Sequence, residues 1–175
     1  GASRSGADWA FLERLRGKWP GKLIVKGVTS AADALRIRSL GADAIYVSNH
    51  GGRQLDSVPP AIRLLPLIRA AVGPEFPLLF DSGIRNGEDI IKALALGADF
   101  VMIGRPALFA LGAEGAAGLN ALLSCFATDI SVVMAQLGIT SIDQLGPDVI
   151  FQDASHAHVD AETKTQAALR LAAKT

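Results

Sequence analysis

The densest chemistry in this sequence is one nine-residue stretch, Ser48-Asn49-His50-Gly51-Gly52-Arg53-Gln54-Leu55-Asp56. A histidine can exchange a proton near neutral pH. Arg53, three residues on, is a natural fork for a carboxylate. The two glycines between them allow tight turning and close approach of the backbone to a ligand. The pair points to proton abstraction from a bound carboxylic acid. A polar loop whose His and Arg hydrogen-bond locally fits the same spacing. A second cluster, Asp81-Ser82-Gly83-Ile84-Arg85-Asn86-Gly87, leads into a helical pattern, and Gly104-Arg105 opens another. Helix starts offer free N–H groups and a positive dipole end. With Arg85 and Arg105 they can enclose a phosphate; the competing reading is that Asn86 only caps and Arg85 is solvated. Lys26 stands among Leu, Ile and Val, which suits a Schiff-base lysine, a structural ion pair or a charge beside a cofactor.

These residues need elements to hold them. Four apolar, largely β-branched runs, Leu23 to Val28, Ala44 to Asn49, Leu78 to Asp81 and Phe100 to Gly104, read as strands. They are continuous, not alternating, as in a parallel sheet covered on both faces. Helical patterns lie between them. Ser30 with Asp33, and Asn86 with Asp89, are capping pairs, and Gly41 and Gly97 are stops. Ala61, Leu64, Leu65, Ile68, Ala71 and Val72 keep helical spacing after Pro59 and Pro60, and Pro66 predicts a kink or a shifted boundary. Leu40-Gly41-Ala42-Asp43 recurs as Leu96-Gly97-Ala98-Asp99, 56 positions later, each copy running into a strand. The chain reads as a strand-helix-strand-helix unit written twice, hence α/β. A doubly wound sheet would carry its phosphate glycines after the first strand, where Lys26-Gly27-Val28-Thr29 has none of that fingerprint. Polar clusters after the later strands suit a (β/α)8 TIM barrel, whose phosphate site follows its seventh and eighth strands. A whole barrel takes about 250 residues. The expectation is therefore its second half, about strands 5–8, over residues 1–151, followed by a tail over 152–175.

Composition narrows the classes. The chain has 175 residues, with 17 basic and 17 acidic side chains and half its residues apolar. That suffices for a packed core and argues against disorder and against a general nucleic-acid binder. A single cysteine, Cys125, excludes an internal disulfide framework, and its apolar helical setting predicts a buried thiol. No uninterrupted apolar run reaches ~18 residues, and no secretory leader is visible. Residues 118–137 read as a longer helix with Leu119, Leu122, Leu123, Phe126, Ile130, Val133 and Leu137 on one stripe. His156 and His158 lie in the tail without companion ligands, so no metal site is expected. A short helix over 161–174 is one reading of that tail.

Taken together, Val25-Lys26-Gly27, the segment from Ser48 to Asp56, Asp81-Ser82-Gly83-Ile84-Arg85 and Ile103-Gly104-Arg105 resemble the FMN-dependent α-hydroxy acid oxidases and dehydrogenases. This family includes glycolate oxidase, lactate dehydrogenase and mandelate dehydrogenase. The likeness covers roughly residues 9 to 150, and the His-Gly-Gly-Arg segment is its most specific part. The resemblance implies FMN as cofactor and oxidation of an (S)-2-hydroxy acid to the 2-oxo acid. It implies His50 as the base, Arg53 as the carboxylate clamp, and Lys26 beside the flavin. Ser48 would also contact FMN; Asp81, Ser82, Gly83, Ile84 and Arg85 would line its ribityl and phosphate region, completed by Gly104 and Arg105. It further implies a homo-oligomer, a tetramer by likeness. The implied location is cytoplasmic, with peripheral attachment to the inner membrane as a variant.

The departures matter equally. The family's first four strands, its substrate tyrosines and the Asp that orients the histidine are not in this sequence. Tyr46, the only tyrosine, lies inside a strand and does not match a substrate tyrosine. The N-terminal half of the enzyme is therefore the expected partner, and this chain alone is not expected to turn over. Asp81-Ser82-Gly83 and Trp19-Pro20-Gly21-Lys22 lean toward the dehydrogenases, mandelate dehydrogenase in particular, which pass electrons to a membrane quinone. An oxygen-using oxidase that makes hydrogen peroxide is the alternative. Outside the family stand another FMN or phosphate-binding barrel of inosine-monophosphate-dehydrogenase type, and a non-catalytic phosphate- or flavin-binding half-barrel. A nicotinamide-dependent Rossmann enzyme would lack its fingerprint here.

Overall fold

A computed structural model describes residues 8–151. The tail histidines and the 161–174 helix expectation lie outside the described residues. Helix α1 (Trp9–Lys18) leads into four βα units: β1 (Ile24–Val28) with α2 (Ala31–Ser39), β2 (Ala44–Val47) with α3 (Ala61–Val72), β3 (Leu78–Phe80) with α4 (Gly87–Ala95), and β4 (Phe100–Val101) with α5 (Arg105–Leu137). Both capping pairs form: Ser30 Oγ accepts from the Asp33 N–H, and Asn86 Oδ1 from the Asp89 N–H.

The four strands pair in parallel in the order β1-β2-β3-β4. Right-handed crossovers between consecutive neighbours put every helix on the same side. Among the described residues this order has no switch point, the feature that marks a doubly wound sheet. The helix-covered face carries Ile45, Val47, Leu78 and Phe80, all fully buried, packed with Leu65, Ile68 and Val72 of α3. The register places Lys26, Tyr46, Leu79 and Phe100 in one row on the opposite face. Among the described residues no helix covers that face, and Ile24 and Phe100 are 48% and 60% exposed.

The repeated Leu-Gly-Ala-Asp motif has a physical purpose. Asp43 Oδ2 accepts from the Leu23 N–H at 2.9 Å, and Asp99 Oδ2 from the Leu78 N–H at 2.7 Å. An arginine of the preceding helix braces each: Arg16 binds Asp43 and the Gly41 carbonyl, and Arg69 binds Asp99 and the Gly97 carbonyl. The two latches fasten the N-terminal ends of β1–β2 and β3–β4. Bonds from Lys22 and the Leu23 amide, with Arg16 adding to them, hold the Asp43 carboxyl at about 2, below its ordinary 3.8.

Three local expectations are corrected. Helix α3 runs unbroken through Pro66, because Leu65, Ile68 and Val72 on either side are pinned in the core. The helix expected over 118–137 begins at Arg105, with a break in helical geometry at Glu114 and Gly115. By length and composition α5 is long and apolar enough to cross a membrane; small residues among the larger apolar ones had hidden this in the run count. Cys125 is exposed, not buried, because its neighbour Phe126 takes the inward position. Helix α5 meets α4 at Gly87, where a Cβ would stand 2.5 Å from the Asp129 Cβ and from the Phe126 carbonyl oxygen.

Gly87→Ala is expected to cost roughly 1–3 kcal/mol by forcing α4 and α5 apart, read as a lower urea midpoint. The depressed Asp43 pKa gives a signed pH effect. Its contribution is present above pH ~4 and is lost as pH falls toward ~2, since the unfolded carboxylate takes up its proton first. In D43N, urea unfolding is expected to lose the Asp43 share of its pH sensitivity across that window, leaving a shallower slope than the parent's.

Candidate active site

Parallel strands release their loops at one end of the sheet, so the segments after β1, β2, β3 and β4 converge there. Lys26 is the middle residue of β1, directly before the register slips at Gly27. Gly27 has φ +91°, a left-handed conformation that favours glycine, and the bulge re-aims the lysine beside it. After β2, residues His50–Gly52 form a single 3-10 turn. His50 itself has φ +56°, in the left-handed region, where histidine is more tolerated than most side chains but is still strained.

Four polar groups over-determine that turn. Ser48 Oγ accepts from the His50 N–H at 3.0 Å, and Asn49 Oδ1 from the Gly51 N–H at 3.0 Å. Ser82 Oγ, from the loop after β3, accepts from the Asn49 and Gly51 N–H groups at 3.2 and 3.3 Å and donates to Asp81 Oδ1 at 2.8 Å. The backbone carrying His50 is thus tied to the next strand's loop. Among the described residues no side chain hydrogen-bonds the His50 imidazole or the Arg53 guanidinium.

Asp81 is the electrostatic centre. Its Oδ2 accepts from Lys26 Nζ at 2.5 Å and from the Tyr46 hydroxyl at 2.8 Å. Burial pushes the Asp81 carboxyl up, but bonds from Lys26, Ser48, Ser82 and Tyr46 outweigh it and hold the group below its ordinary value. Burial, and then the bond to Asp81, push the Tyr46 phenol far above its ordinary value, so it stays a neutral donor.

One cleft of about 170 Å³ gathers these loops. Lys26, His50, Arg53, Asp81, Ser82, Gly83, Ile84, Arg85, Gly104 and Arg105 line it, so nearly all the sequence-derived candidates meet. Ser48 is the exception: it is 1% exposed, outside the lining, with its hydroxyl on the His50 amide. Gly51, one of the two glycines between His50 and Arg53, also lines the cleft, as do Met102, Pro106 and Leu108, which carry no such signal in the sequence analysis. Leu108 was findable, since it stands one helical turn after Arg105. Met102 follows the short β4 and carries no polar signal.

The expected free N–H groups at the start of α4 are not free. Asp89 Oδ2 takes the Arg85 N–H at 2.8 Å, Asp129 Oδ2 takes the Gly87 N–H at 3.1 Å, and Asn86 takes that of Asp89. Helix α5 differs: its N-cap is Gly104, with no side-chain cap, and Arg105 follows. A Cβ built on Gly83 or Gly104 would meet nothing within 4 Å, so a ligand can approach both backbones closely. Two arginines, a lysine, an uncapped helix start and open glycine backbone suit a phosphate-bearing, anionic cofactor.

Comparison with known proteins places these features in context. Residues 1–152 match the family model described as FMN-dependent dehydrogenase. An L-lactate dehydrogenase of Pseudomonas syringae pv. syringae is 46% identical over 143 residues, covering 82% of this chain and 38% of the relative. Among solved structures, a soluble mutant of the membrane-associated (S)-mandelate dehydrogenase from Pseudomonas putida superimposes with a TM-score of 0.79 at 45% identity. That match covers 84% of this chain and 42% of the other. A mandelate oxidase matches with a TM-score of 0.74 at 42% identity, covering 78% and 42%. The chain thus spans about two fifths of the length of the relatives it matches.

Proposed function

The chain belongs to the FMN-dependent dehydrogenase family, and from that premise we propose that it supplies the second half, about strands 5–8, of a (β/α)8 barrel. That barrel would oxidise an (S)-2-hydroxy acid, mandelate- or lactate-like, to the 2-oxo acid. The observation that carries this reading is the single cleft in which His50, Arg53, Lys26, Arg85 and Arg105 meet at the C-terminal end of the strands. The bare sheet face supports the half-barrel part: its exposed Ile24 and Phe100 suit burial inside a closed barrel. A cleft of about 170 Å³ falls short of the ~300 Å³ at which ligand pockets usually begin, so these residues form one wall of a larger site.

FMN, when bound, would accept the two electrons of the substrate's α-C–H bond, that carbon losing its hydrogen toward the cofactor as the hydroxyl loses its proton. The chain's own residues do the rest. Arg53 holds the substrate carboxylate with its fork, which fixes the hydroxyl near His50. The His50 imidazole takes the hydroxyl proton, and the strained, fourfold-held turn keeps it in place as the base. Lys26 would supply a positive charge beside the cofactor, which favours its negatively charged reduced form. Arg85, Arg105 and the backbone at Gly83, Ile84 and Gly104 hold the phosphate, with the α5 start contributing its open dipole end. Asp81 and Ser82 brace Lys26 and the His50 turn from below. The final acceptor would be a quinone or another non-oxygen acceptor, with membrane association as in the (S)-mandelate dehydrogenase relative. Oxygen is the alternative acceptor, favoured by the mandelate oxidase match.

The test uses the enzyme with both barrel halves and FMN. Anaerobic mixing with (S)-mandelate or (S)-lactate is expected to bleach the flavin absorbance; no bleaching by either overturns the proposal. Admitting air then separates a slowly reoxidised dehydrogenase from a rapidly reoxidised oxidase. H50Q is expected to slow flavin reduction by about 10²-fold or more with FMN still bound. R53K is expected to weaken carboxylate binding about tenfold, because a point charge replaces a fork. Unchanged kinetics in either variant removes that residue's role.

A further inference from the structure

Tyr46 lies inside β2 and matches no substrate tyrosine, yet it joins the charge network around Asp81. The register pairs it directly with Lys26 across β1 and β2, so both side chains rise from the same face. Its hydroxyl donates to Asp81 Oδ2 at 2.8 Å, the same oxygen that receives Lys26 Nζ at 2.5 Å. Its ring lies under that ammonium, with Nζ 3.7 Å from the centroid. Three strands therefore meet at one cation. We propose that Tyr46 is a positioning residue for Lys26: its ring supports the ammonium and its hydroxyl fixes the carboxylate oxygen that anchors it.

The need for such a residue follows from the lysine. Its stem has four rotatable carbons, and its side chain is 42% exposed. An exposed lysine–carboxylate pair is weakly held by itself, since solvent screens it and side-chain entropy opposes it. A ring beneath Nζ and a second donor on the shared oxygen restrict both partners. A charge that stabilises a cofactor edge acts only if it stays at one distance from it. Burial keeps the phenol protonated, so the donor persists throughout the working pH range. This inference rests on the reading of Lys26 as the charge beside the flavin.

The experiment measures the two-electron flavin potential, by dye equilibration, and the FMN dissociation constant in the complete FMN-loaded enzyme. It compares the parent with K26M, Y46F, Y46L and the double variant K26M/Y46F. K26M is expected to lower the potential, and Y46L and Y46F to lower it by successively smaller amounts. Y46F, which keeps the ring, is expected to weaken FMN binding about fivefold, as for one lost hydrogen bond. The shift caused by Y46F is expected to vanish in the K26M background, because the two residues act as one unit. A tyrosine that only fills space would lower the melting midpoint and leave the potential where it was. If K26M shifts the potential and Y46F does not, or if the Y46F shift persists without Lys26, the inference is overturned while the flavin reading stands. If K26M leaves the potential unchanged, the flavin reading of Lys26 fails and this inference with it. Should Y46L not fold, Y46F and the double variant decide the matter alone.

Discussion

A parallel strand can rejoin its neighbour only by crossing over the sheet, and the crossover has a fixed hand. With four strands in simple succession, that rule sends all the intervening helices to one side. Two consequences organise everything else. One sheet face becomes a dry core of Ile45, Val47, Leu78 and Phe80 against the helices, and the other keeps the row Lys26-Tyr46-Leu79-Phe100. The loops that leave the strands also all open at the same end, so residues as far apart as Lys26 and Leu108 line one cleft. The chemistry is assembled by the crossover rule before any side chain makes a contact.

Within that cleft, one carboxylate sets the order of charges. Asp81 joins β1 through Lys26, β2 through Tyr46 and the histidine turn through Ser82. Ser82 and His50 both occupy left-handed backbone, which is costly for residues with a side chain, and each is held by the hydrogen bonds that converge there. The two strained residues and the ion pair belong to one connected network. The hydrogen bonds hold the backbone of that turn in a conformation a relaxed loop would not keep.

Much of this was legible in the sequence where the signal was local. The continuous strands, the two Ser- and Asn-initiated helices and the 56-residue echo all appear as patterns of residue type, and each forms, though β2 and β3 stop short of their expected ends and β4 is only Phe100–Val101. The site was legible because its residues follow strand ends, a position that carries function in this architecture. What was not legible depended on distant partners. The start of α4 looked open, but Asp129, 42 residues away from Gly87, fills it. Cys125 looked buried because its stripe was apolar, while the inward direction belongs to Phe126. Pro66 promised a kink that core packing on both sides overrides. Tyr46 escaped notice because its role needs the register of two strands and a carboxylate from a third.

The paired latches carry a consequence for how such a molecule can change over time. Arg16 with Asp43, and Arg69 with Asp99, fasten the strand entrances, at the opposite end from His50 and Arg53. Robustness and chemistry therefore draw on separate sets of positions. Selection for heat tolerance can rework the fastened end, while selection for a new substrate rewrites the loops at the other. Because the fastening is written twice in the same residue grammar, each half-turn of the sheet carries its own anchorage and can accumulate change without first consulting its neighbour.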